Sequence, residues 1–284
     1  MSASFDANRY KATQRQQWNE AAQAWHRWGD TLQKWFGQVT VAMLDMAEVG
    51  PGNRILDIAA GAGEPALSAA ERVGPEGYVL ATDLSENIIQ YAQQIADQRS
   101  LRNFETRVMD GESLELEAES FDVVLCRFGL MLMPNAQRAL SEWHRVLKTG
   151  GRVVAAVFSS PDKNAWAATP VSIIRKRAQL PPPSPGQPGL FSFGDDDVLE
   201  NALQAAGFHA VEIRRLSAPL RMPSARDYVH FARESFGGFN QMMAHLSKEE
   251  RESVWDEVAE AMKHFESADG IEVTCEPIVA CGVK

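Results

Sequence analysis

The sequence of 284 residues has little cysteine and no long apolar run. Its three cysteines, Cys126, Cys275 and Cys281, form no C-x-x-C pair, so neither a metal site nor a dithiol motif is predicted. No window approaches the roughly 18 consecutive apolar residues that a membrane-spanning helix needs. The first residues also lack the apolar segment of a secretory signal. These absences predict a cytoplasmic protein with free thiols.

Positive charge is also scarce. The chain has 28 Lys and Arg residues against 38 Asp and Glu residues, which gives a formal net charge of -10. Proteins that bind a nucleic-acid backbone usually present a basic surface. The one short basic run, Arg175 to Arg177, is typical of a solvated helix face. We therefore expect no nucleic-acid partner.

Short apolar runs alternate with helical periodicity between Gly50 and Phe158. The predicted strands cover residues 54–60, 78–82, 104–109, 121–126 and 152–158, and the helices between them cover 64–72, 85–99 and 136–147. The last of these helices is expected to stop at Thr149-Gly150-Gly151. Strands that alternate with helices at this spacing predict parallel βαβ units with right-handed crossovers.

The flanking regions complete this pattern. Helices are predicted over 12–49, 195–206 and 224–267, strands over 211–216 and 276–283, and a Pro-rich loop over 181–189. We therefore predict an α/β fold with a Rossmann-like, mostly parallel sheet of seven strands and helices on both faces. Residues 160–190 and 220–267 are expected to form a helical cap that covers a substrate.

The segment ILDIAAGAGEP, Ile55 to Pro65, indicates a ligand site. Gly61 and Gly63 lie at a strand–helix turn, where backbone N–H groups can approach a ligand and the helix N-terminus adds partial positive charge. The same glycines satisfy the dinucleotide fingerprint G-x-G-x-x-G/A. Asp83 follows Gly63 by 20 residues, and a carboxylate there binds ribose hydroxyls in either cofactor class.

Three features favour S-adenosylmethionine over a nicotinamide dinucleotide. Asp57 precedes the glycines and would repel a pyrophosphate but attract an ammonium or a sulfonium group. Asp110 and Gly111 end the third strand, where a carboxylate can accept a hydrogen bond from the adenine amine. None of the four tyrosines is followed four residues later by the lysine of a Tyr-x-x-x-Lys pair.

Five segments, in this order and spacing, carry a family resemblance: ILDIAAGAGEP, ATDLS, VMDGESL, FDVVLCRFGL and VLKTGGRVV. Over residues 45–158 the sequence resembles the class I S-adenosylmethionine-dependent methyltransferases, and within them the ubiquinone/menaquinone-biosynthesis type. With Asp57, the cofactor-binding set then comprises Ala59, Gly61, Gly63, Asp83, Asp110, Gly111 and Arg127.

The resemblance also implies a role for each position. Ala59, Gly61 and Gly63 would line the methionine part of the cofactor, and Arg127 would touch the same part from the fourth strand. Asp83 would hold the ribose, while Asp110 and Gly111 would hold the adenine. Ala59 replaces the first glycine of the family motif, a change that the quinone subgroup tolerates. Arg127 is bulkier than the serine or asparagine common at its position.

The acceptor side gives weaker signals. His26 would act as a base if it were buried near the methyl group, but it also fits an exposed helix position. Trp25 fits either the core or a pocket wall, where an aromatic face suits a sulfonium. Phe128 fits either an acceptor surface or the core. No catalytic residue is predicted, because methyl transfer depends mainly on positioning.

We therefore expect a methyltransferase that acts on a small, hydrophobic or aromatic molecule. An NAD(P)-dependent oxidoreductase and a non-catalytic S-adenosylmethionine-binding protein remain as alternatives. The expected division is N-terminal helices over the cofactor site in residues 1–49, a cofactor-binding core in 50–158, and cap insertions with the strands that complete the sheet in 159–284.

Overall fold

The computed structural model describes residues 5–182 and 186–284. Its strands are β1 (Arg54–Ile58), β2 (Tyr78–Asp83), β3 (Phe104–Val108), β4 (Phe121–Arg127), β5 (Leu147–Phe158), β6 (His209–Arg215), β7 (Leu220–Met222), β8 (Glu266–Ser267), β9 (Gly270–Val273) and β10 (Pro277–Val283). The main sheet has seven strands in the order β3-β2-β1-β4-β5-β10-β6. Strands β1 to β5 pair in parallel, and β10 pairs antiparallel with both β5 and β6. The predicted seven-stranded, mostly parallel sheet is confirmed.

Ten α-helices connect and cover these strands in the described residues. They are α1 (Ala7–Arg27), α2 (Gly29–Met46), α3 (Ala66–Val73), α4 (Glu86–Gln98), α5 (Ala136–Val146), α6 (Ala165–Arg177), α7 (Asp196–Ala205), α8 (Ala225–Ser235), α9 (Gly237–Met242) and α10 (Lys248–Met262). Side-chain N-caps stabilise the first turn of several of these helices. In α4, the hydroxyl of the N-cap Ser85 accepts a hydrogen bond from the Ile88 N–H. Within the described residues, no helix combines the length and apolarity needed to cross a membrane.

The turn before β5 differs from the prediction. Strand β5 begins at Leu147, so Thr149, Gly150 and Gly151 lie inside the strand rather than in a helix stop. The register between β4 and β5 shifts at this point, which marks a bulge. A Cβ on Gly151 would lie 2.9 Å from the Asp122 carbonyl oxygen, so the close approach of the two backbones requires glycine here.

The predicted helical region 224–267 is also corrected. It contains α8, α9 and α10, but ends in β8, which joins β7 and β9 in a second, antiparallel sheet in the order β7-β9-β8. These strands have only two to four residues, too few for a clear alternation of apolar and polar positions. Residues 183–185 of the predicted Pro-rich loop lie outside the described residues.

Aromatic packing joins the cap to the main sheet. Trp166 of α6 is fully buried and contacts Trp35 of α2 at 4.9 Å and Phe158 of β5 at 4.9 Å between ring centroids. The Trp35 indole N–H donates to the Ala218 carbonyl at 2.8 Å. Helix α2 is therefore held between the sheet and the cap, which fixes one wall of the cavity described next.

Candidate active site

A cavity lies at the carboxyl ends of the parallel strands. Strands β2 and β3 lie on one side of β1 and β4 lies on the other, so the connections reverse direction here. Open α/β sheets bind ligands at such a switch point. Strand-end loops line the cavity with Ala59–Glu64, Asp83–Leu84, Met109–Glu112, Arg127–Gly129 and Leu132–Pro134, and the first two helices with Tyr10, Lys11, Gln14, Trp18, Trp25, Gly29, Leu32, Gln33 and Phe36.

The loop after β1 has an unusual backbone. Ala59, Gly61 and Gly63 all have positive φ, at 58°, 56° and 122°. For a non-glycine residue this conformation costs roughly 1–2 kcal/mol, so the backbone at Ala59 favours glycine. A Cβ on Gly63 would lie 2.5 Å from Leu67 Cδ1, so this position admits no side chain without rearrangement.

Asp57 lies beneath this loop and does not line the cavity. It is fully buried, and one carboxylate oxygen accepts from the Ala66 N–H at 2.9 Å, at the start of α3. The other oxygen, Oδ1, has no hydrogen-bond partner among the described residues. Burial raises the pKa of Asp57 well above its usual value, and the positive charge of Arg127 opposes that rise. The structure thus places an unpartnered buried acceptor directly behind the glycine loop.

Asp83 at the end of β2 does line the cavity. Its two oxygens accept from the Gly61 N–H at 3.0 Å and the Ser85 N–H at 2.8 Å. Burial raises the pKa of Asp83 to about 6, while these backbone hydrogen bonds oppose the rise. Asp83 keeps acceptor capacity for a ligand, because an ionised carboxylate offers about four acceptor sites.

The loop after β3 brings two carboxylates to the cavity. Asp110 Oδ1 accepts from the Glu112 N–H at 3.0 Å, and Asp110 Oδ2 lies 2.7 Å from the Lys11 ammonium. The same ammonium lies 2.6 Å from Glu112 Oε2. Gly111, which lies between Asp110 and Glu112 in the sequence, packs closely against Ile58 and Met133. A Cβ at Gly111 would lie 2.7 Å from Ile58 Cγ2 and 2.8 Å from Met133 Cε.

Arg127 at the end of β4 extends its side chain along the cavity wall. Its Nη1 donates to the Thr40 hydroxyl at 2.7 Å, and its guanidinium carbon lies 5.7 Å from the centre of the Phe36 ring. Burial lowers the pKa of Arg127, and the negative charges of Glu64 and Asp57 oppose that fall. Sequence analysis missed Thr40 and Phe36, which lie more than 80 positions away along the chain.

Aromatic side chains form the other half of the cavity. Phe128 has a positive φ of 64° and stacks on Phe158 at 4.3 Å, with Phe36 tilted against it at 4.7 Å. Trp18 and Trp25 of α1 meet edge to face at 5.2 Å. The structure therefore brings Trp25 and Phe128, two of the weak acceptor-side candidates, to the same cavity.

His26, the third acceptor-side candidate, requires a correction. Its side chain is exposed and stacks on the Tyr91 ring at 4.4 Å, outside the cavity lining. The helical periodicity accounts for this, because Trp25 and His26 are adjacent and point about 100° apart on α1. No histidine of residues 5–182 or 186–284 lines the cavity.

The expected position of the cap is also corrected. No described residue beyond Pro134 lines the cavity, so the cap does not cover it directly. Helices α1 and α2 occupy that place, and the cap packs behind them, with Phe236 6.3 Å from Trp25. The Trp25 indole N–H donates to the Ser235 carbonyl at 2.7 Å, so the cap supports the cavity wall from outside.

Known proteins resemble this chain in sequence. A family model described as a methyltransferase domain matches residues 50–180. Nocamycin O-methyltransferase of Saccharothrix syringae is 30% identical over 207 residues, which cover 69% of this chain and 73% of the relative. The chain belongs to the S-adenosylmethionine-dependent methyltransferases.

A second relative of this methyltransferase is the ubiquinone/menaquinone biosynthesis C-methyltransferase UbiE of Ralstonia pickettii. It is 32% identical over 181 residues, which cover 61% of this chain and 74% of the relative. A structure of Haemonchus contortus phosphoethanolamine N-methyltransferase 2 with S-adenosylhomocysteine shares the fold, at a TM-score of 0.55 and 18% identity over 89% of this chain and 56% of that one. Membership of this family gives S-adenosylmethionine as the cofactor, and the nicotinamide alternative is set aside.

Proposed function

We propose that this methyltransferase transfers the methyl group of S-adenosylmethionine to a small, hydrophobic or aromatic acceptor in the cytoplasm. One observation carries the proposal: the cavity has a carboxylate-lined half at the ends of β1 to β3 and an aromatic half beside β4, α1 and α2. The first half suits a cationic nucleoside, and the second suits a flat apolar molecule.

The residues present fit the cofactor. Four carboxylates line the cavity against two cationic side chains, a balance that favours a positively charged ligand. The unpartnered Oδ1 of Asp57 adds negative potential behind the glycine loop. The close packing at Gly63 and Gly111 leaves backbone rather than side chain at the cavity surface.

Each part of the cofactor has a proposed holder. Ala59, Gly61 and Gly63 would contact the methionine part, and Arg127 would pair with its carboxylate. Asp83 would accept from the ribose hydroxyls, and Asp110 with Gly111 would hold the adenine. These assignments combine the family resemblance with the positions of the side chains. They leave the aromatic half free for the acceptor.

The chain's contribution to catalysis is then positional. When bound, the cofactor supplies an electrophilic methyl group on a sulfonium. The aromatic residues hold the acceptor in line with that methyl group and exclude water, and alignment of this kind lowers a barrier by roughly 7–11 kcal/mol. The names of the two relatives, a nocamycin O-methyltransferase and a ubiquinone/menaquinone biosynthesis C-methyltransferase, support a small-molecule acceptor.

A matched pair of tryptophan variants tests the acceptor half. Trp25 lines the cavity, whereas Trp28 on the next turn packs on Phe231 outside it. With methyl-labelled cofactor and a panel of phenols, hydroquinones and aromatic acids as acceptors, Trp25→Leu should raise the acceptor KM about tenfold. It should leave cofactor affinity within about twofold, because the cofactor half is unchanged. Equal kinetics for Trp25→Leu and Trp28→Leu, or no labelled product from any aromatic acceptor, would contradict the proposal.

A further inference from the structure

Lys11 connects the N-terminal helix to the loop after β3. Its ammonium lies 2.7 Å from Asp110 Oδ2 and 2.6 Å from Glu112 Oε2, and 99 positions separate it from Asp110. The Glu112 side chain is only 5% exposed and the Lys11 side chain 22%. Shielding from water makes such a charge-assisted bridge stronger than one on an open surface. Lys11 is thus the main polar contact between the start of α1 and the cofactor half of the cavity.

Backbone donors outside α1 hold the two carboxylates of this bridge. Glu112 Oε1 accepts from the Asn135 N–H at 2.8 Å, and Asp110 Oδ1 accepts from the Glu112 N–H at 3.0 Å. A backbone donor outside α1 therefore holds one oxygen of each carboxylate, and the other oxygen of each lies against Lys11. The Lys11 ammonium supplies the contact from α1 to these two carboxylates, and this contact breaks if the start of α1 moves away.

The start of α1 has few other attachments. All of its buried residues lie in its second half, at Ala21, Ala22 and Ala24. Between them and Lys11, the side chain of Asn19 accepts from the Ser85 hydroxyl at 2.6 Å, close to Asp83. A segment with few buried apolar contacts opens at low free-energy cost.

We propose that Lys11 is a positioning residue for the adenine end of the cofactor site, and that its bridge latches the start of α1 over the bound nucleoside. The inference rests on the proposed placement of adenine at Asp110. The ammonium between Asp110 and Glu112 offsets their mutual repulsion and fixes Asp110 Oδ2, whose remaining lone pair accepts from the adenine amine. Tyr10, Lys11 and Gln14 cover this end of the cavity, so the bridge opens when cofactor enters or leaves.

Two variants of the same helix separate this role from a general charge effect. Lys11→Met removes the ammonium and keeps an unbranched side chain. Arg15→Met removes one positive charge from an exposed residue that lies outside the cavity and forms no ion pair within the described part of the chain. Lys11→Arg retains the charge and should behave much like the wild type.

The probes are S-adenosylhomocysteine and S-inosylhomocysteine, which carries hypoxanthine in place of adenine and so lacks the amine. In stopped-flow binding to the full chain, Lys11→Met should raise both the association and the dissociation rate constants of S-adenosylhomocysteine, the latter about tenfold or more. It should also reduce the preference for adenine over hypoxanthine, whereas Arg15→Met should change neither.

Several results would overturn the proposal. Rates and preference equal in Lys11→Met and Arg15→Met would remove any special role for Lys11, and faster dissociation without faster association would refute the latch. If Lys11→Met does not fold, the Lys11→Arg variant provides the test. A loss of the preference for adenine over hypoxanthine in Lys11→Arg, which retains the positive charge, would contradict the role of the bridge. A wild type that binds both probes equally would instead refute the adenine placement at Asp110, while methyl transfer itself would stand.

Discussion

The acid dependence of cofactor binding follows from the state of Asp83. Its carboxylate is proposed to accept from the ribose hydroxyls, so it binds best when ionised. Because burial raises the pKa of Asp83 to about 6, about a tenth of the molecules carry the ionised form at pH 5 and nearly all do at pH 8. The apparent Kd is the intrinsic value divided by the competent fraction, so it should rise about tenfold between pH 8 and pH 5.

The raised pKa of Asp83 also predicts how the stability of the cofactor-free protein depends on pH. The stability decreases with rising pH, whereas cofactor affinity increases. An acid whose pKa is higher in the folded state than in the unfolded state binds its proton more tightly when folded. The free energy of unfolding therefore falls as the pH rises from about 4 through 6. The difference between the ordinary 3.8 and about 6 corresponds to about 3 kcal/mol at neutral pH, an order-of-magnitude figure.

Asp83→Asn tests both trends at once. Calorimetric titration with S-adenosylhomocysteine between pH 5 and pH 8 should show weaker binding by the variant at pH 8 and little acid dependence below it. Urea unfolding over the same range should show that the variant gains stability relative to the wild type as the pH rises. Asp97→Asn, an exposed change on α4, serves as the control. A wild-type affinity that is flat from pH 5 to pH 8, or an equal slope in Asp83→Asn, would refute the reasoning.

Two further substitutions probe the floor of the cavity. Gly129→Ala should lower the free energy of unfolding by about 1–3 kcal/mol in urea titration, because the new Cβ would lie 2.5 Å from Ala59 Cβ and 2.9 Å from Cys126 Sγ. Adding Ala59→Gly should recover part of the loss, and an unchanged loss would show that the two methyl groups do not collide. Asp57→Asn should raise the melting temperature more as the pH increases, since burial raises the pKa of Asp57 and the amide avoids the buried charge but keeps an acceptor for the Ala66 N–H. It should weaken S-adenosylhomocysteine binding in calorimetry, and a fall in both quantities would contradict the electrostatic role of Asp57.

The sheet could be predicted because its signals are local. Strands β1, β2, β4 and β5 each contain a short apolar run, and parallel strands bring their carboxyl ends to one edge of the sheet. Asp83 and Asp110 end strands that the sequence indicates clearly, so their presence at one cavity follows from the topology alone. The seven strands of the main sheet match their predicted positions to within a few residues, except at the start of β5.

The contributions of α1 and α2 could not be predicted in the same way. Lys11 meets Asp110 across 99 positions, and Thr40 meets Arg127 across 87, so no local pattern relates them. The amphipathic stripe of α1 shows that the helix packs, but not against which element. The order of helices predicts a cap over the substrate, yet the aromatic residues of the cap pack behind Trp25 and Trp35.

The position of β10 affects the order in which the sheet forms during synthesis. Of the seven strands, β10 emerges last from the ribosome, yet it lies between β5 and β6. The first five strands can pair as they appear, whereas β6 has no partner in the main sheet until residues 277–283 arrive. A nascent chain therefore builds the cofactor half of the cavity early and leaves the far edge of its sheet open until the final strand inserts.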